Sequence, residues 1–245
     1  MTKAQIDRLG SRLKVGRITE DDRLLLDSYR RSFVDAYGHV VTTITQVLQP
    51  KPTGRPTKST TSVIEKLQRE SIRLSQMQDI AGCRIVVDSV AVQSEVVSRL
   101  AALFPRHTIV DRRQQPSHGY RAVHLIVREG EKPVEIQIRS RLQHLWAELS
   151  EKCSDVVDPA IKYGGGPEFA RGMLSTLSNI IAKYEAHELR LDTHYEDLVD
   201  TSSVGFGSIS GVDREKFGIL GQEIEDKLRI LIQTVADSGS GSGAS

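Results

Sequence analysis

The stretch "VEIQIRSRLQHLWAEL", residues 134–149, changes its hydrophobic period half-way along. In its first part Val134, Ile136 and Ile138 alternate with Glu135, Gln137 and Arg139, the period of two that gives a strand one apolar and one polar face. In its second part Leu142, Leu145, Trp146 and Leu149 fall at i, i+3, i+4 and i+7, the apolar stripe of an amphipathic helix. A strand that feeds such a helix calls for a sheet with helices against it. The polar face of that strand is either solvated or the lining of a site, and Glu135, Gln137 and Arg139 are the residues that decide which.

Further strand candidates are "CRIVVD" at Cys83, "HTIVD" at His107 and "RAVHLIV" at Arg121, with "VAVQSEVVSRLAALF" as a helix between the first two. Upstream, Thr19 can cap one long helix to about Gln49, with Glu20, Asp21 and Asp22 in its first turn. Leu24, Leu25, Tyr29, Phe33, Tyr37 and Val41 keep helical spacing along it. "KPTGRPTKSTTS" breaks that helix, and another resumes near Ser62. Two more helices follow in "FARGMLSTLSNIIAKYEAHELRL" and "DREKFGILGQEIEDKLRILIQTVA", before a low-complexity "SGSGSGAS" end that reads as disordered. The expected segments are therefore N-terminal helices over 1–50, a core over 51–155, C-terminal helices over 156–236 and a tail over 237–245. The expected class is α+β, a mixed sheet of about four to five strands flanked by helices, with helices added at both ends.

Composition excludes several classes. The 245 residues, 38% hydrophobic and 27% charged, suffice for a proper core, and the net charge of +1 gives no overall basic field for nucleic acid or membrane. Any such partner needs a local patch. Cys83 and Cys153 lack CxxC spacing, which argues against a zinc site or disulfide framework. No apolar stretch reaches the roughly 20 residues of a membrane span, and the N-terminus has no signal-peptide core. A cytoplasmic location without membrane attachment is expected.

Several residues could carry chemistry. Asp79, just ahead of an apolar strand on a turn loosened by Gly82, is either a turn aspartate or a ligand for a divalent metal. Glu135 on the same sheet would add the second hard oxygen donor that magnesium with phosphates favours, or is a solvent-facing strand residue. "GRPTKSTTS" is no Walker A motif, yet Arg55, Lys58 and the hydroxyls up to Ser62 gather phosphate donors at a helix N-terminus. The plainer alternative is a capping box between Ser62 and Glu65. Tyr120, directly after Gly119, could project over a nucleobase or pack in the core. His124 lies opposite Val123 and Leu125, and neither HExxH nor a His-Asp dipeptide occurs.

Taken together, "DIAGCRIVV", "GYRAVHLIV" and "VEIQIRSRLQHLWAEL", in this order and spacing, resemble the synthetase domain of the RelA/SpoT family, above all its short alarmone synthetases. "GRPTKSTTSVIEKLQRE" is similar to that family's ATP-binding segment. The resemblance implies a nucleotidyltransferase-like fold and transfer of the β,γ-pyrophosphate of ATP to the 3′-hydroxyl of GDP or GTP, with Mg2+ as cofactor. It implies that Asp79 holds the magnesium and that Glu135 assists it and activates the acceptor hydroxyl. Arg55 and Arg84 would flank the adenine, Lys58 and Ser62 would bind ATP phosphates, and Tyr120 would stack on the acceptor base, with His124 and Gln137 lining the acceptor side.

The acceptor end departs from the family pattern. Many members carry two lysines before the Gly-Tyr motif, whereas "DRRQQPSHGY" offers only Arg112 and Arg113 for acceptor phosphates. A toxin branch with the same donor chemistry pyrophosphorylates the 3′ end of transfer RNA or makes adenosine alarmones, and would imply an antitoxin protein as partner. A nucleotide-binding regulator without catalysis is the remaining alternative, and an oligomer is compatible with all three.

Overall fold

In a computed structural model of the chain, which describes residues 1–16, 18–49, 51–200 and 211–240, the apolar face of residues 134–138 lies in the middle of a sheet. The strands are β1 (Thr53–Arg55), β2 (Ala81–Val87), β3 (His107–Asp111), β4 (Val123–Glu129) and β5 (Lys132–Ser140), in the order β1-β2-β5-β4-β3. This is the mixed five-strand sheet flanked by helices that the sequence called for. Val134, Ile136 and Ile138 on β5 and Ala81, Cys83, Ile85 and Val87 on β2 are buried, so both strands turn one alternating face inward. Burial, with a smaller push from the Glu135 charge, raises the Cys83 thiol to about 12, which makes it a core group rather than a nucleophile. No helix among the described residues is long and apolar enough to cross a membrane.

The chain divides into two compact units that interleave along the sequence. The first comprises Met1–Ile85, Val97–Val110 and His124–Ile138. Its N-terminal part differs from the single helix expected from Thr19 to about Gln49. Helix α1 (Lys3–Val15) precedes it, opened by a capping box between Thr2 and Gln5. The expected helix is itself two, α2 (Glu20–Arg31) and α3 (Val34–Val47). They part where the Ser32 hydroxyl donates to the Tyr29 carbonyl at 2.6 Å, a local bond that competes with the helical ladder. Thr19 does cap α2, accepting from the Asp22 backbone N–H. The helix expected near Ser62 is α4 (Thr60–Arg69), which begins earlier than read, and the helix between β2 and β3 is α5 (Val90–Leu103). The N-cap of α4 is Ser59, whose side chain accepts from the Ser62 backbone N–H, so Ser62 is the third helical residue and not the cap of a Ser62–Glu65 box.

The second unit comprises Val86–Val96, Asp111–Val123 and Arg139–Ser245. Ser140 ends β5 and caps α6 (Arg141–Val156) in a capping box with Gln143, which is how the period changes within one residue. Leu142, Leu145, Trp146 and Leu149 join Cys153, Ile161, Ala170, Leu174, Ile181 and Leu228 in one buried cluster. That cluster is shared by α6, α7 (Glu168–Asp200) and α8 (Gly211–Ser240), with α8 packed along α6. Trp146 donates its indole N–H to the Leu174 carbonyl at 2.8 Å, a structural role. The last turn of α8 takes in Asp237 to Ser240, part of the segment read as a disordered tail, and the rest of that tail lies outside the described residues.

Candidate active site

Within the first unit, β1 pairs antiparallel with β2, placing Arg55 opposite Gly82 and Thr53 opposite Arg84. Gly82 faces Glu135 so closely that a Cβ on it would come within 2.9 Å of the Glu135 carbonyl oxygen. Any side chain here would push β5 away, so the glycine is what lets the two strands bring their polar faces together. Arg55 is exposed, and Arg84 is half-buried on the β2 face that alternates away from the core.

Asp79 lies at the entry to β2. Its Oδ2 accepts from Lys58 Nζ and Lys66 Nζ, each at 3.0 Å, while its Oδ1 is buried with no partner among the described residues. Burial would raise the Asp79 carboxyl, but the charges of Lys58 and Lys66 and their hydrogen bonds outweigh it and hold the group below its ordinary range. The Lys58 backbone N–H donates to the Ile80 carbonyl, fixing the loop against the strand entry. Ser62 sits one turn along, hydrogen-bonded at 2.8 Å to Ser59.

Glu135 answers whether the polar face of β5 is merely wet. Its side chain is only 15% exposed, with Oε1 2.8 Å from His124 Nδ1 and Oε2 accepting from Gln137 Nε2 at 2.8 Å. Burial pushes the carboxyl up, the bonds from His124 and Gln137 push it down further than that, and the Asp79 charge opposes them weakly. Glu135 is thus an ionised, oriented carboxylate. The structure brings Lys58, Asp79, Glu135, His124 and Gln137 into this constellation, and adds Lys66. The sequence reading missed Lys66, although its place four residues after Ser62 puts it on the same helix face.

Within the second unit lies the loop between β3 and β4. Arg113 is engaged by Asp111, with Nη2 2.6 Å from Oδ2, and by Ser94 at 2.8 Å, so its guanidinium is tied down within the protein. Arg112 is half-buried and its backbone N–H donates to the Ala122 carbonyl. Tyr120 is half-buried against the α6–α8 cluster, its hydroxyl accepting from Arg139 at 3.0 Å, with the Arg139 guanidinium 5.0 Å from the ring centroid. Arg139, read as part of the polar face, is buried beneath that ring. Tyr120 therefore combines a packing role with a ring braced by a cation.

The geometry is joined by similarity. Residues 54–154 match the family whose model is described as "Region found in RelA / SpoT proteins". That match takes in 101 of the 245 residues and marks a RelA/SpoT-like region within the chain. An uncharacterized protein of Mycobacterium tuberculosis is 39% identical over 115 residues, which are 45% of this chain and 42% of that protein. The chain thus spans less than half the length of these relatives. A probable chloroplastic GTP diphosphokinase of rice is 33% identical over 95 residues, 37% of this chain and 13% of the rice protein. Among solved structures, the small alarmone synthetase 1 of Bacillus subtilis is 26% identical with a TM-score of 0.52, over 73% of this chain and 100% of that one. A GTP pyrophosphokinase family protein from Streptococcus pneumoniae, at 21% identity and a TM-score of 0.55, shares the fold over 74% of this chain and 97% of its own. The matched region contains β1 except Thr53, α4, the strands β2 to β5 and nearly all of α6, with every residue of the Asp79–Glu135 and Tyr120–Arg113 clusters.

Proposed function

We propose that the chain is a nucleotide pyrophosphokinase that moves the β,γ-pyrophosphate of ATP to the 3′-hydroxyl of GDP or GTP, making (p)ppGpp. The observation that carries this reading is the pair of lysines converging on one ionised carboxylate, Asp79, whose second oxygen is buried without a partner among the described residues. Phosphoryl-group transfer is chiefly a matter of neutralising and aligning phosphate charge, and this cluster has the parts for it. Lys58 and Lys66 neutralise Asp79 when no nucleotide is bound and can turn their ammonium groups to phosphate oxygens when one is. Asp79 Oδ1 is the oxygen left over for Mg2+. Among the described residues no three His, Cys, Asp or Glu side chains gather as a metal cage. An ion here would take its remaining ligands from phosphates and water, as magnesium commonly does. When bound, it supplies positive charge against the transferring phosphates.

Glu135, held by His124 and Gln137, accepts the hydrogen bond of the attacking hydroxyl and aligns it. A carboxyl below its ordinary range is a weak base, so its contribution is orientation and charge more than proton abstraction. Arg55 and Arg84 are offered to the adenine, and Tyr120, Arg112 and Arg113 to the acceptor.

One observation favours a second reading. Because Asp111 already engages Arg113, the loop has little free charge for a di- or triphosphate, which suits an acceptor such as the 3′ end of transfer RNA or an adenine nucleotide. A toxin of that kind would be paired with an antitoxin. Incubation with γ-labelled ATP and Mg2+ beside GDP, GTP, AMP or deacylated transfer RNA tests both. Label on GDP or GTP supports the first reading and label on transfer RNA or AMP the second, while label on none overturns the pyrophosphokinase.

A further inference from the structure

The acceptor loop is held in part by residues that lie outside the matched RelA/SpoT region. Ser117 and Tyr120 exchange two backbone hydrogen bonds, closing a tight turn in which both central residues have positive φ, +52° at His118 and +88° at Gly119. Two such residues are the mark of a primed hairpin turn, and His118 is the sole non-glycine residue with positive φ among those described. A conformation of this kind persists only where its surroundings enforce it.

Three contacts do so. Trp146 lies so close under Gly119 that a Cβ there would come within 2.8 Å of its ring, and Gly164 leaves the space that His118 occupies. The third contact is polar. Ser178 on α7 donates its hydroxyl to the Gly119 carbonyl at 2.7 Å and accepts from Arg121 Nε at 3.1 Å, so one buried oxygen bonds to the residues on both sides of Tyr120. The other end of Arg121 donates to the Arg113 carbonyl, tying the far side of the loop to the same point. Gly164 and Ser178 both fall beyond residue 154, where the family region ends.

We propose that Ser178 is a positioning residue for the acceptor, fixing the turn at Gly119 so that the Tyr120 ring is presented to a base. The proposal rests on Tyr120 being the acceptor platform, as argued under Proposed function. It differs from that reading in making α7 part of the specificity machinery. Ser178 touches neither nucleotide; it acts through the Gly119 carbonyl and Arg121.

Steady-state transfer by the full chain, with the acceptor that takes label, is compared for Ser178→Ala, Arg121→Gln and the double variant. Ser178→Ala should raise KM for the acceptor about tenfold, the scale of one lost hydrogen bond to a charged group, and leave KM for ATP within twofold. The double variant should be no worse than the poorer single, because both changes break one junction. Equal rises in the two KM values, or none, would overturn the proposal, since general loosening does not select the acceptor. Amide exchange over residues 117–122 separates failure of this idea from failure of the pyrophosphokinase reading. If the wild-type chain labels no acceptor, faster exchange there in Ser178→Ala at unchanged Tm still upholds the clamp, and unchanged exchange removes it. Trp146, the one tryptophan of the chain, adds an emission signal from directly beneath the turn.

Discussion

At the scale of single residues, Asp79 and Glu135 carry different loads although both are carboxylates kept ionised. Asp79 is held by cations, Glu135 by neutral donors and an imidazole. Both fold with carboxyls lowered, so the unfolded chain binds their protons more tightly and stability rises with pH through the acid range. Their contribution is complete above unfolded values of about 3.9 and 4.3 and is lost as pH falls through the lower folded values. Glu135→Gln should therefore cost about 1–3 kcal/mol at pH 7 and progressively less toward pH 3, by urea unfolding. An equal gap at both pH values would show that shape, not charge, is what Glu135 provides. Asp79→Asn and Glu135→Gln should each abolish transfer, measured with γ-labelled ATP. Lys66→Met is the sharper test, because it is the fold that brings Lys66 to Asp79. It should weaken ATP binding by about tenfold, the scale of one charge-assisted contact, with acceptor binding unchanged by calorimetry. Glu135 stands out in the sequence through strand alternation and Asp79 through its place on the turn ahead of β2, and the family spacing points at both. Lys66 does not stand out, because a lysine in the last turn of an amphipathic helix is ordinary there and only the fold brings it to Asp79.

At the scale of elements, period and punctuation carried most of the reading. The alternation in β2 and β5 and the apolar stripe of α6 were legible because each buries one continuous face. β1 was not, since its three residues are all exposed and amount to a short edge strand lying on β2, with no pattern of their own. The break between α2 and α3 was hidden because the apolar spacing runs through it without interruption. That break has a use. Arg30 near the end of α2 donates to Thr60 Oγ1 at 3.0 Å and Thr57 Oγ1 at 3.4 Å, so α2 braces the loop that carries Lys58. Arg30→Ala should raise KM for ATP a few-fold with little change in kcat, because it loosens a support without removing a contact to the nucleotide. A fall in kcat at unchanged KM would assign Arg30 to the chemistry instead.

At the scale of the molecule, the family region and the folding unit do not coincide. The recognised residues end at 154, yet the stripe on α6 is covered by side chains from beyond that point, among them Leu174, Ile181 and Leu228, each less than 5% exposed. The segment boundaries at 50, 155 and 236 remain a proposal about organisation in sequence. They do not mark where a fragment becomes self-sufficient. A chain cut to residues 54–154 would leave Leu142, Leu145, Trp146 and Leu149 facing water, and burying side chains of this size contributes roughly 1.5–3 kcal/mol each. Since whole domains are stable by only about 5–15 kcal/mol, losing that cover should unfold or aggregate the fragment. The full chain should show Trp146 emission at the short wavelengths of a buried indole and a cooperative melt; the fragment should show red-shifted emission and none. A single buried substitution separates cover from catalysis: Leu228→Ala, on α8 against α6, should cost about 2–5 kcal/mol in stability. Below its melting temperature it should leave KM for ATP unchanged. If the fragment melted cooperatively with buried tryptophan emission, α7 and α8 would be appendages and the α6 stripe would have found another partner.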